Sequence, residues 1–466
     1  MKWLEQKSKE LEAAGDSMLF ENAEKKFEEK LLAAIGKEQK ANEMKKSKRI
    51  FSVAVMNEVN YGSRINWGVC MKISNRTLAL GTETAFEVLA EVNKMTREGK
   101  HVISFCIGQP DFDTPRHIKD AAIKAINEGR TGYTDSTGLL HVRETVAKYF
   151  SQTRKIDVKP EHVAIANGAK HFIAFTIACT TDYGVGDEVI YPNPGFPIYE
   201  SQIIARGAVP VALPLSEKKK FSFEIEELEK MITKKTKLLI LNSPHNPTGG
   251  ILEQEDLEAV AELAKKHDFW VYSDEVYCRI VYDKPFASIA SIDGMYERTV
   301  VCDGASKAYA MTGWRMGYAA NPVLAKHLAR WITNTESCPN HISQYAIKQA
   351  LEGPQDESHK MVESFKERRD LTVKLLNEVK GVSCLLPGGA FYAFPNVTKA
   401  VEKLGLKNSE EFRKLLLQNG VAVLSDRHFG KRNAGDNEQH VRLSYATSKE
   451  NIVEGIKRIK EVVEGK

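Results

Sequence analysis

From about residue 77 onward, apolar positions fall into two alternating periods. Residues 85–97 and 116–128 place them at helical spacing, the second stretch closed by Gly129, and 102–106 between them reads as a short strand. Short apolar runs follow at 163–166, 188–191, 209–213, 238–242, 270–273 and 300–303, most of them bounded by Gly, Pro or Asp. Helix-period stretches lie between several of these runs, most clearly at 257–266, and 361–379 reads as a long amphipathic helix. The remainder mixes helices with short strands, among them 421–424 and 441–445. Apolar runs alternating with helices predict an α/β fold with a mainly parallel central sheet, covered by helices on both faces.

The first seventy residues follow another pattern. They are dense in Lys and Glu, with Phe27, Leu31, Leu32 and Ile35 at helical spacing and Glu21 four residues before Lys25, as in a solvated helical arm. A short alternating run from Phe51 to Met56 and a polar stretch lead to Met71, where the sequence reads like a fresh N-terminus. Residues 1–70 are therefore expected to be an extension of unknown role, appended or mis-started. Peptides from this segment in a mass spectrum of the native protein would reject the mis-started reading.

Composition narrows the possibilities by exclusion. The chain has 466 residues, 42% of them hydrophobic, and 66 Lys and Arg against 62 Asp and Glu, a net charge of only +4. That balance gives no electrostatic case for a nucleic-acid or membrane-surface partner. No long uncharged apolar run marks a membrane span, and no apolar core follows the charged start as in a secretory signal. The seven cysteines are scattered, odd in number and without a Cys-x-x-Cys pair. Reduced thiols in a cytoplasmic protein are the simple reading, rather than a disulfide framework or a zinc cage.

Five windows carry candidate chemistry. Ser306-Lys307-Ala-Tyr-Ala-Met-Thr-Gly-Trp-Arg315 puts a lysine at the end of an apolar strand, where desolvation lowers its pKa and makes it a nucleophile. Arg315 can return a planar fork to the same pocket and grip a phosphate. Alone, the window reads more simply as a surface lysine in a loop. In Ser273-Asp274-Glu275-Val-Tyr277, a carboxylate ends a strand and points into the crevice of a parallel sheet; a helix N-cap is an equally common use of Asp there. Asn242-Ser-Pro-His-Asn246-Pro-Thr-Gly249 is a good turn that can also present an amide. Asn167-Gly168-Ala169-Lys170 opens a helix with small residues, leaving N–H groups that suit a phosphate, though helix packing explains it as well. Val441-Arg442-Leu443 carries an arginine on an apolar strand, which needs an anion: an internal carboxylate or a substrate's.

In this order, and together with Gly108-Gln-Pro-Asp-Phe-Asp-Thr-Pro115 and His440-Val-Arg-Leu-Ser-Tyr-Ala-Thr-Ser448, these windows resemble the class I aminotransferases, pyridoxal-phosphate enzymes of fold type I, in the aspartate aminotransferase branch. The likeness spans roughly residues 71–466. It implies a large domain over 120–350, a smaller α+β domain from 77–119 together with 351–466, and pyridoxal 5'-phosphate between them. It implies a Schiff base on Lys307, Asp274 against the pyridinium nitrogen, and Tyr277 and Asn246 on the ring oxygen. Gly168, Ala169, Lys170 and Arg315 would hold the cofactor's phosphate, Ser306 would also contact the cofactor, and Phe196 would stack on the ring. Arg442, with Gly108, Asn246 and Phe196, would bind substrate. Tyr133 would reach the neighbouring subunit's phosphate, which makes a homodimer the expectation. The implied activity is ping-pong transamination from an L-amino acid, aspartate first, to a 2-oxo acid, 2-oxoglutarate first.

Two other outcomes share these residues. A carbon–sulfur β-lyase or cyclopropane-forming synthase uses the same Lys, Asp, Tyr and Arg. A non-catalytic regulator would carry an N-terminal DNA-binding module, for which residues 1–70 are too acidic and irregular. One departure from the family bears on substrate. The turn after 421–424 reads Ser425-Asp426-Arg427-His428-Phe429 and runs into a polar insertion at 430–438, where Arg427 or His428 would read a distal carboxylate or simply line a solvated loop.

Overall fold

A computed structural model describes residues 72–465 apart from Ala434, so the readings made for residues 1–70 lie outside the described residues. The described residues contain twelve strands: β1 (Ile103–Ser104), β2 (Val163–Ala166), β3 (Glu188–Asn193), β4 (Val209–Pro214), β5 (Thr236–Asn242), β6 (Trp270–Asp274), β7 (Thr299–Gly304), β8 (Gly317–Ala320), β9 (Tyr392–Ala393), β10 (Val421–Ala422), β11 (Leu424–Ser425) and β12 (Val441–Ser444). Seven form the central sheet in the order β2-β8-β7-β6-β5-β3-β4. All its pairings are parallel except the two made by β8, which runs against both β2 and β7.

The burial of β5 shows why this sheet is sandwiched. Leu238 and Ile240 pack with Phe172 and Ile177 of the helix Lys170–Thr180 on one face. Leu239 and Leu241 pack with Leu257, Val260 and Ala264 of the helix Gln254–His267 on the other. Successive side chains of a strand point to opposite faces, so a strand with helices on both sides is apolar on both faces through its centre, as Leu238 to Leu241 are here. Truncating such a residue, Leu239→Ala for example, costs about 2–5 kcal/mol.

A second group of strands joins β1 to later residues. β12 is the centre of an antiparallel sheet, β11-β12-β9, and β1 pairs in parallel with β10. β1, β9, β10 and β12 share a core with the helices Asp356–Asn377 and Lys449–Glu464 through Phe365, Leu376, Ile452 and Ile456. The apolar run at 421–424 is thus split between two sheets at Val423. No helix among the described residues is long and apolar enough to cross a membrane.

Candidate active site

The parallel strands share one direction, so the loops after their carboxyl ends gather on one side of the sheet, where open α/β sheets bind ligands. Phe196 follows β3, Asn246 follows β5, Asp274 ends β6, and Lys307 sits in a short helix, Ala305–Ala308, directly after β7. With Gly108 beyond β1 and Arg442 on β12, they line a cleft of about 530 Å³. Ala169, Lys170, Ser306 and Arg315 line it too.

Gly168 lies against Arg315 at one end. Its φ of +114° is a conformation that side chains rarely adopt, and a Cβ there would fall 2.3 Å from Arg315 Nη2. The helix beginning at Lys170 has no side-chain cap and no acidic residue in its first turn; the His171 and Phe172 N–H groups turn back to the Gly168 and Ala169 carbonyls, while those of Ala169 and Lys170 are spent on no backbone carbonyl and suit an anion. Arg315 is exposed and donates to the Thr312 carbonyl at 2.9 Å; Lys170 pairs with Glu83 at 2.9 Å.

Deeper in the cleft, Lys307 Nζ donates to the Gly108 carbonyl at 2.5 Å. Burial pushes its pKa down to about 8; Glu83 opposes the shift, and repulsion from Arg442, Arg315 and Lys170 adds to it. The Asp274 carboxyl is pushed up to about 6, again by burial, against the hydrogen bond from Tyr199. Tyr199 donates to Asp274 Oδ2 at 2.7 Å, whereas Oδ1 is buried with no partner. Tyr277 is hydrogen-bonded to the hydroxyl of Tyr392 at 2.7 Å. Arg442 donates to Asn246 Oδ1 at 2.9 Å and to the Cys106 carbonyl, not to a carboxylate, and its buried Nε is unpartnered. An internal salt bridge therefore does not explain this arginine. A buried carboxylate oxygen, an uncapped helix and an arginine without a counter-ion together fit a ligand with a proton donor, a phosphate and a carboxylate.

Residues 100–459 match the family described as aminotransferase class I and II. The chain belongs to that family. It is 38% identical over 398 residues to the aspartate aminotransferase of Bacillus subtilis, covering 84% of this chain and 99% of the relative. The aromatic-amino-acid aminotransferase 2 of Thermococcus litoralis is 40% identical over 372 residues, covering 78% and 92%. Among solved structures, the aspartate aminotransferase from Rhizobium meliloti superposes with a TM-score of 0.79 at 35% identity, covering 85% of this chain and 99% of that one. The protein is an aminotransferase, and its family works with pyridoxal phosphate.

Most of the residues expected from sequence line this aminotransferase's cleft. Tyr133 does not: it is 90% exposed and lies on an adjoining open groove. Neither candidate of the 425–438 turn faces the cleft. His428 is bound to Thr84 and lies 3.3 Å from Glu410, and exposed Arg427 lines a separate polar hollow with residues of the insertion. The insertion docks on Asn193, which donates to the Lys431 carbonyl at 2.7 Å. Sequence reasoning missed Tyr199, Tyr392, Asn242 and Glu83. Asn242 Nδ2 donates to the Asp274 carbonyl at 3.1 Å while its Oδ1 accepts from the Asn246 N–H at 3.0 Å, so it fixes two site residues at once. The doubled Asn of the loop was its one signal.

Proposed function

We propose that this enzyme binds pyridoxal 5'-phosphate in the Lys307 cleft and moves the amino group of L-aspartate to 2-oxoglutarate. The unpartnered oxygen of Asp274 carries the reading, because a carboxylate oxygen buried without a donor is costly until a protonated ring nitrogen fills the place. When bound, pyridoxal phosphate supplies an electron sink that acidifies the substrate's Cα–H bond.

The chain's own residues would do the rest. Gly168, Ala169, Lys170 and Arg315 would hold the phosphate, Ser306 would contact the cofactor, Phe196 would cover one ring face, and Tyr277 and Asn246 would donate to the ring oxygen. Arg442, with Gly108, Asn246 and Phe196, would fix the substrate and so orient the Cα–H bond toward Lys307. An amine with a pKa of about 8 is partly neutral at physiological pH, which suits Lys307 to hold the cofactor and then carry the Cα proton. Division into a large domain at 120–350 and a small one from 77–119 and 351–466 is supported by the core around β9, β10 and β12, which takes only Tyr277 and Ile280 of its buried residues from 120–350, and closure of one on the other would exclude water. The exposure of Tyr133 supports its reaching the phosphate of a second copy in a homodimer. The described cysteines are all free, in keeping with a cytoplasmic protein.

The test is a coupled assay that follows oxaloacetate from L-aspartate and 2-oxoglutarate. The expected result is turnover that requires both substrates and gives parallel double-reciprocal lines. Pyruvate released from cystathionine without an oxo-acid acceptor, and no amino transfer from aspartate, would contradict the proposal.

A further inference from the structure

Tyr392 stands at the centre of the cleft without a role in the account above. It is 1% exposed, and its hydroxyl lies 2.7 Å from that of Tyr277. Its ring lies under Arg442, with the guanidinium carbon 4.5 Å from the ring centroid. Gly108 makes room for it: a Cβ at that position would fall 2.0 Å from the Tyr392 hydroxyl. The same glycine's carbonyl accepts from Lys307. One side chain thus touches Tyr277, the proposed ring-oxygen donor, Arg442, the proposed substrate-binding arginine, and the peptide that holds the lysine.

Two hydroxyls at hydrogen-bond distance share one proton between them, so one donates and the other accepts. If Tyr277 spends its proton on Tyr392, it has none for a ligand. If Tyr392 donates, the Tyr277 proton is free to point into the cleft, and accepting one hydrogen bond strengthens the one it gives. We infer that Tyr392 is a positioning residue with two separable parts: its hydroxyl donates to Tyr277 and commits the Tyr277 proton to the cofactor's ring oxygen, while its ring carries the Arg442 guanidinium. This rests on the proposed cofactor reading.

The hydroxyl is read by a spectrophotometric pH titration of the cofactor-loaded protein. Stabilising the ring oxygen's negative charge lowers the midpoint of the bound cofactor's visible absorbance. Tyr392→Phe therefore raises that midpoint by roughly half a pH unit, the scale of one net hydrogen bond. Cofactor content and melting temperature stay near those of the wild type. Tyr277→Phe raises the midpoint further, and adding Tyr392→Phe to it changes nothing more, because the hydroxyl acts through Tyr277.

A wild-type midpoint in Tyr392→Phe, or an equal shift in the Tyr277→Phe background, overturns the hydroxyl's role. The ring is read by KM for aspartate, unchanged in Tyr392→Phe and raised roughly tenfold in Tyr392→Leu, the scale of a desolvated cation–π contact. Equal KM in the two variants overturns the ring's role. A wild-type protein that takes up pyridoxal phosphate and titrates normally while Tyr392→Phe does not differ from it sinks this inference alone. Failure of the wild type to take up the cofactor sinks the proposed function and this inference with it.

Discussion

Asp274 and Glu275 are neighbours in sequence, both buried, and they meet opposite surroundings. Glu275 Oε1 accepts from Ser273 at 2.9 Å and Ser288 at 2.5 Å, and Oε2 accepts from Arg154 at 2.8 Å. The same arginine reaches Asp303 at 3.0 Å, which also accepts from Tyr149 at 2.9 Å. Every oxygen of Glu275 is answered from within the chain. Asp274, facing the other way at the end of β6, keeps one oxygen bare. Burial alone therefore does not mark a functional carboxylate; both acids are buried and both are pushed upward by it. What separates them is whether the protein itself supplies the partners.

The contrast predicts which changes silence the enzyme and which unfold it. Lys307→Ala should have the largest effect, a loss of amino transfer of about 10⁴-fold or more with stability nearly unchanged, checked by steady-state rates beside a melting curve. Arg154→Met should do the reverse. It leaves Glu275 and Asp303 buried without their cation and should cost about 3–5 kcal/mol in chemical denaturation.

Asp274→Asn should lower kcat by roughly 10²–10³-fold while leaving the fold intact. It also carries a pH signature. A carboxyl raised from 3.8 to about 6 binds more protons folded than unfolded, so cofactor-free stability falls as pH rises from about 4 to 6. A lysine lowered from 10.5 to about 8 binds fewer, so stability recovers as pH rises from about 8 to 10.5. Between 6 and 8 both groups are charged in a cleft that disfavours charge. Pyridoxal phosphate should therefore raise the melting temperature more at pH 7 than at pH 5, and Asp274→Asn should erase the acidic limb of the cofactor-free profile. The smallest effect belongs to Tyr199→Phe, which removes the one side-chain donor to Asp274 and should lower kcat about fivefold, roughly 1 kcal/mol.

Much of this was legible in the chain, and the gaps have physical causes. The apolar runs of β2, β5, β6 and β7 stand out because two-sided burial makes their centres apolar and confines polar residues such as Lys237, Asp274 and Asp303 to their ends. β8 does not. It holds one large residue, Tyr318, among Gly317, Ala319 and Ala320 and shows no alternation, although all four are buried. The glycine is required, since a Cβ on Gly317 would fall 2.1 Å from the Ala169 nitrogen. Lys307, Asp274 and Arg442 could be picked out by motif, Asp274 in preference to its neighbour Glu275, but not what makes the two acids differ. That depends on Arg154, Ser288 and Tyr199, which the fold brings in from other segments.

The most direct measurement is the absorbance spectrum of the purified protein loaded with pyridoxal phosphate, first with L-aspartate and then with 2-oxoglutarate. The account predicts that aspartate converts the cofactor's visible band to that of the aminated form and that the oxo acid restores it. A protein that shows no such band after pyridoxal phosphate is supplied would contradict the assignment of Lys307 and Asp274, and with it the account of the cleft.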